Sequence, residues 1–154
     1  MQIEHCTIAD FQQIYKDIAD FWGSDRTLHL HHPFLIYEMG DTAFVIRENH
    51  KVIAYLFGFF SQKEKTAYTH LIAVREKYQR KGLGYILYEH FIEVAKAKGY
   101  EKIKAITSPP NSKSISFHKK MGMKLLGEPD ENGINIVKDY SGPGLDRVVF
   151  EMKI

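Results

Sequence analysis

Apolar residues change their spacing several times along the chain, and each change marks an element. Gln2 to Cys6 reads as a short strand. Thr7 then opens a helix, with Asp10 three residues on as its capping-box partner. Phe11, Ile14, Tyr15, Ile18 and Trp22 follow at helical spacing, and Gly23 closes the pattern. Ser24 to Gly40 has no clear period; it holds Pro33 and an apolar run, Phe34 to Tyr37, that suits a short second helix. Alternating patterns return in Thr42 to Arg47, Val52 to Ser61 and Ala67 to Val74, separated by turns at Glu48 to Lys51 and Gln62 to Lys65. These predict a three-strand meander.

Beyond Arg75 the period returns to that of a helix. Leu83, Ile86, Leu87, Phe91, Val94 and Ala95 share one face, and Gly99 suits the C-terminal cap. Lys102 to Thr107 is a strand. Pro109 and Pro110 block helix until Asn111, a good N-cap for a helix over Ser112 to Met121 that Gly122 ends. Lys124 to Gly127 is short and extended, and Ile134 to Val137 is extended inside a Gly-, Pro-, Asp- and Asn-rich stretch from Glu128 to Asp146. Arg147 to Lys153 forms a last strand. The order implies a largely antiparallel sheet with helices on its faces and one parallel crossover, from Ala67–Val74 to Lys102–Thr107.

Composition narrows the class. A chain of 154 residues, 44% hydrophobic, suits one globular domain over residues 1–154, with no repeat or linker. The lone Cys6 rules out a disulfide framework and a multi-cysteine metal site, and it suits a reducing, cytoplasmic setting. Its place in the first strand suits a small core residue rather than a nucleophile. The N-terminus lacks a secretory pattern, and the longest apolar stretch, Val52 to Phe60, is far short of a bilayer span. Net charge is only +2, yet Arg75 to Lys124 carries twelve Lys/Arg against four Asp/Glu, a local +8 that leaves −6 elsewhere. Such asymmetry suits a polyanionic ligand in one part and a cationic one in the other, or simply solvated helix faces. No aromatic-rich basic stripe points to nucleic acid.

The chemistry concentrates between Val74 and Leu87. A strand ends, the loop Gln79-Arg80-Lys81-Gly82-Leu83-Gly84 follows, and an amphipathic helix begins at once. A helix's first turn carries N–H groups without internal partners, and its dipole favours an anion there. Gly82 and Gly84 remove side chains that would hold a phosphate away, while Arg80 and Lys81 add positive charge. The same glycines could equally serve turn geometry alone. No Walker A loop is present, and the third glycine of a dinucleotide fingerprint is missing.

The segment Leu71 to Gly84 resembles the acyl-CoA-binding signature of the GNAT N-acetyltransferase family, Gln/Arg-x-x-Gly-x-Gly/Ala after a strand. Downstream, Asn111, Ser114, Ile115, His118, Gly122 and Met123 fall on the family's second pattern. The resemblance covers nearly the whole element order. It implies an α/β (α+β) fold: a mixed, largely antiparallel twisted sheet of six to seven strands flanked by about four helices. The implied activity is transfer of an acetyl group from acetyl-CoA to a primary amine by direct attack. A small-molecule acceptor is expected, a peptide or protein acceptor is the other option, and a homodimer is among the implied assemblies. The rival from another class is a non-catalytic acyl-CoA-binding regulatory module.

Residue by residue, the resemblance implies that the amides of Arg80, Lys81, Gly82, Leu83, Gly84 and Tyr85, with Gln79 beside them, hold a pyrophosphate. Ile72, Ala73 and Val74 would pair with the pantetheine arm and polarise the thioester carbonyl. Asn111 would bond to pantetheine, with Ser114 nearby. His118 stands where tyrosine is often the general acid; a subset of the family, including phosphinothricin-type members, has histidine there instead, and a histidinium could protonate the departing sulfur. The strand position that carries a catalytic carboxylate in some members is Tyr68 here, which removes that base. Tyr68, His70, Ile72 and Val74 share a strand face, and His70, titratable near neutrality, is the remaining candidate. His29, His31 and His32 lack the spacing of a metal site. Asp25, Glu38, Asp139 and Asp146 could attract a cationic acceptor, with Tyr37 and Tyr140 as walls.

Overall fold

The computed structural model describes Met1–Ile154. The chain runs β1 (Ile3–His5), α1 (Ile8–Lys16), α2 (Ile18–Trp22), α3 (Phe34–Tyr37), β2 (Ala43–Glu48), β3 (Lys51–Phe60), β4 (Thr66–Val74), α4 (Leu83–Ala97), β5 (Lys102–Thr107), α5 (Ser112–Lys120), β6 (Lys124–Leu125), β7 (Glu128–Pro129), β8 (Asn135–Ile136) and β9 (Val148–Lys153). Seven strands hydrogen-bond in the order β1-β2-β3-β4-β5-β9-β6, and β7 pairs with β8 as a separate ribbon. β1–β2, β2–β3, β5–β9 and β6–β9 are antiparallel, and β4–β5 is parallel. This is the mixed sheet expected from the element order, with five α-helices where about four were expected. No helix is long and apolar enough to cross a membrane.

The chain forms two compact units, Met1–Phe59 with His70–Ala97, and Phe60–Thr69 with Lys98–Ile154. In the first unit, Phe11, Ile14, Ile18 and Phe21 of α1 and α2 pack on Val45, Tyr55, Phe57, Leu71 and Ala73. The capping box is present: Thr7 Oγ1 accepts from the Asp10 amide, and Asp10 Oδ2 accepts from the Thr7 amide at 2.8 Å. Asp10 also takes the Arg47 guanidinium in a fork, with Nε at 2.9 Å from Oδ1, which ties α1 to β2. One helical pattern had been expected from Thr7 to Trp22. It breaks at Asp17, which leaves helical geometry at φ −97°, ψ 21° and pairs its carboxylate with Arg75. Gly23 ends α2 in the left-handed region, as its place in the pattern predicts. The β2–β3 hairpin turns through Asn49 and His50, both left-handed (φ 50° and 64°), which matches the twist of a tight two-residue turn.

In the second unit, the β4–β5 ladder pairs Thr66 to Thr69 with Lys102 to Ala105, and β9 pairs β5 along its whole length. Asn111 caps α5 through its own Oδ1, which accepts from the Ser114 amide at 3.1 Å. Within Glu128 to Asp146, the extended reading of Ile134 to Val137 holds for β8, and β7 pairs with it as a ribbon. Glu128 pairs Ile136, and a side chain at Gly127 (φ 83°) would stand 1.9 Å from the Ile136 carbonyl oxygen, so only glycine permits that approach.

Candidate active site

β4 supplies the frame. Its residues alternate between buried (Leu71, Ala73) and half-buried (Tyr68, His70, Ile72, Val74), the two faces that period-two spacing predicts. Ile72 to Val74 lie beyond the end of the β5 ladder.

From Val74 the first unit makes a short connection. Arg75 is buried at 4% exposure. Its amide bonds to Ile53 O, and its Nε to Val52 O at 3.0 Å. Its Nη1 meets Asp20 at 2.7 Å and its Nη2 meets Asp17 at 3.1 Å, while the guanidinium lies over the Phe21 ring. This side chain fixes where β4 ends. Nothing in the spacing marked it, since an arginine between a strand and a loop reads as surface charge. Arg75→Ala is expected to lower the unfolding free energy by about 3 kcal/mol, because it strips a buried cation from two carboxylates and a carbonyl. Urea denaturation checks this, and a loss under about 1 kcal/mol would show the network to be incidental.

A turn at Glu76–Tyr78 follows, held by Tyr78 O–H donating to Glu48. Gln79 Nε2 donates to Val74 O at 3.0 Å and so braces the loop. Arg80 (φ 62°) and Gly82 (φ 80°) are both left-handed, alternating conformations that turn successive amides to one side. Arg80, Lys81 and Gly82 are exposed. The first bond of α4 runs from the Ile86 amide to Gly82 O, so the Leu83, Gly84 and Tyr85 amides precede the helical ladder. A Cβ at Gly82 would meet nothing within 4 Å, so the space above the loop is open. These bare donors at a dipole's positive end fit a diphosphate.

His70, on the same unit, has Nε2 3.4 Å from the Leu30 carbonyl oxygen. A carbonyl only accepts, so Nε2 carries the proton and Nδ1 the lone pair. Burial pulls the His70 pKa below its ordinary value, partly offset by that carbonyl. The ring is therefore neutral at neutral pH. His31 is buried: its Nδ1 lies 2.8 Å from Thr27 O and its Nε2 2.7 Å from the Tyr55 hydroxyl. Tyr37, at 69% exposure, stands open to solvent beside Glu38. Cys6 is buried, and burial, with the Asp10 charge, pushes its thiol up to about 12, which makes it inert.

In the second unit Tyr68 sits opposite Lys104 in the β5 register. Asp139 and Asp146 serve their own loop: Asp139 Oδ1 accepts from the Gly144 amide and Asp146 Oδ1 from the Asp139 amide. Tyr140 is 40% exposed. His118 lies on the buried face of α5 with Ile115. It is 3% exposed, stacked on Phe150 at 4.3 Å and 11°, and its Nδ1 donates to Ser114 O at 2.8 Å. Burial, partly offset by the Ser114 carbonyl, pulls its pKa from 6.5 to about 4 and disfavours the imidazolium at neutral pH.

The unfolded chain takes up a proton at His118 below pH 6.5 that the folded chain refuses until about pH 4. Stability is therefore fully present above 6.5 and falls as pH drops toward 4. A loss of about 2 kcal/mol is expected from this residue between roughly pH 7.5 and 5. Urea titrations of wild type and His118→Phe check it; equal pH slopes in both would clear His118 of the effect.

A sequence model described as the Acetyltransferase (GNAT) family matches residues 9–123. Phosphinothricin N-acetyltransferase of Streptomyces viridochromogenes is 33% identical over 56 residues, 36% of this chain and 31% of that protein, so the chain aligns with under a third of that relative's length. Ard1 from Thermoplasma volcanium superposes with a TM-score of 0.77 at 18% identity, over 99% of this chain and 97% of that one. An aminoglycoside 6′-N-acetyltransferase complexed with coenzyme A superposes with a TM-score of 0.71 at 10% identity, over 99% and 97%. At these identities the superpositions establish a shared fold.

Proposed function

Because the chain belongs to the acetyltransferase (GNAT) family, we propose that it transfers the acetyl group of acetyl-CoA to a primary amine of a small molecule. We take residues 1–154 as one domain, since the family match runs through both compact units. The observation that carries the reading is the turn from Val74 to Tyr85, where left-handed Arg80 and Gly82 lead into the bare amides of α4. On this reading those amides, with Arg80 and Lys81, hold the diphosphate of coenzyme A. Ile72 to Val74, past the β5 ladder, offer strand edge to the pantetheine arm. Acetyl-CoA, when bound, supplies an activated acyl group on a thiol leaving group.

The protein's own contribution is positioning and proton transfer. An alkylammonium of pKa about 10.4 is no nucleophile at neutral pH, so a base must take its proton. His70 does this at Nδ1, since Nε2–H is turned to Leu30 O. The new imidazolium keeps that carbonyl as its partner. Asp25, Glu38 and the exposed Tyr37 ring supply a negative, aromatic approach for a cationic acceptor. A buried free thiol agrees with a cytoplasmic setting.

A thiol-release assay with acetyl-CoA over polyamines, amino acids, aminoglycosides and peptides tests the assignment. Release driven by one class of amine is the expected result. Tight acetyl-CoA binding with no release on any amine would make the protein a binding module.

A further inference from the structure

His31 was one of three histidines in a run without period, and its environment gives it a distinct task. Its ring is buried and bonded at both nitrogens. Nδ1 faces the Thr27 carbonyl, an acceptor only, so Nδ1 carries the proton. Nε2 is then a bare acceptor, to which the Tyr55 O–H donates at 2.7 Å. The Tyr55 oxygen in turn accepts from Trp22 Nε1 at 2.7 Å. Every donor and acceptor in this chain finds a partner in only one arrangement, from Trp22 through Tyr55 and His31 to Thr27. Tyr55 is a fully buried residue of β3, so the loop after α2 is pinned to the sheet.

What the pin holds is the turn that faces the base. Thr27 O also accepts the Leu30 amide at 2.9 Å, and the His31 amide returns to Leu28 O. The turn from Thr27 to His31 is thereby closed around Leu30, whose carbonyl points at His70 Nε2. No side chain of that turn touches His70 through a hydrogen bond; the link is the Leu30 backbone. The titratable groups near the His70 ring are His31 and His32, and the Phe59 ring stands 6.5 Å away.

We infer that His31 is a positioning residue for His70: bonded to Tyr55 and Thr27, it sets the Leu30 carbonyl against His70 Nε2 and so keeps Nδ1 aimed as the base. The arrangement does with a backbone carbonyl what an orienting carboxylate does for histidine elsewhere: it selects the tautomer and steadies the imidazolium. The inference rests on His70 being the base. Without the Leu30 carbonyl, His70 would be harder to protonate and less well aimed.

Three variants decide it. His31→Leu removes both bonds at similar volume; Tyr55→Phe removes one hydroxyl and tests the same link more gently should His31→Leu fold poorly; His70→Gln is the reference. The readouts are kcat against pH and the His70 titration followed by imidazole nitrogen resonances, which needs no turnover. Expected for Tyr55→Phe and His31→Leu are a kcat lower by about tenfold, an unchanged Kd for acetyl-CoA, and a His70 titration and acidic limb moved together to lower pH. Combined with His70→Gln, His31→Leu should cost no further activity. If the variants lose thermal stability while the His70 titration and the limb stay in place, His31 is a structural residue only and the inference is overturned. Should His70→Gln itself retain full activity, the assignment of the base fails, and with it this role.

Discussion

Replacing His70 by glutamine is expected to lower kcat by about a hundredfold or more, the usual contribution of a positioned general base. Glutamine keeps an N–H for the Leu30 carbonyl and much of the ring's length, so the strand and the turn should stay in place. It lacks the lone pair that accepts the proton. The pH profile carries the stronger evidence. Burial lowers the His70 pKa, so the wild-type ring is deprotonated at neutral pH and activity falls only as pH drops through that lowered value. In the variant the acidic limb assigned to His70 should vanish, and added imidazole should restore part of the rate. A variant with wild-type turnover and an unmoved limb would remove His70 from the chemistry and leave the amine to lose its proton to water or to a group elsewhere.

Gly82→Val is expected to weaken acetyl-CoA binding by about a hundredfold, near 2.7 kcal/mol. Two effects combine. At φ 80° a β-branched residue is strained, which costs about 1–2 kcal/mol and drives the loop toward another conformation. The added methyl groups also enter the open space above the loop, where nothing of the protein now stands within 4 Å of a Cβ. Gly23→Ala is the control: that residue is equally left-handed (φ 75°) and equally uncrowded, but it ends α2. It should cost about 1 kcal/mol of stability and leave acetyl-CoA affinity untouched. Isothermal titration with acetyl-CoA and thermal melts separate the two. Equal affinities for wild type and Gly82→Val would show that the loop does not hold the coenzyme.

Much of the architecture was legible in the residues because it depends on short-range rules. Thr7 and Asp10 form their box because both partners lie within one turn. Asn111 caps α5 by the same local logic, and Lys102 to Thr107 matched the observed strand end to end. The break at Asp17 was invisible, since Phe11, Ile14, Ile18 and Trp22 keep helical spacing through it. β8 falls inside the stretch Ile134 to Val137 that reads as extended, whereas β7 escaped because Glu128 and Pro129 leave no alternation to read.

The site divides in the same way. Sequence alone determined the turn from Gln79 to Gly84 ahead of α4, because glycine spacing, a preceding strand and a following helix are local and together specify where amides outside the helical ladder must appear. It also placed His70 on the half-buried face of β4, since alternation along a strand follows from the pleat. Only the tertiary structure decided which atoms of those residues are available. Burial against Phe150 makes His118 a core ring, and the Leu30 carbonyl chose the tautomer of His70. Arg75 and the Trp22–Tyr55–His31 chain likewise exist only once distant segments meet. The physical reason is that desolvation and hydrogen-bond direction belong to a residue's surroundings, which a linear pattern does not encode.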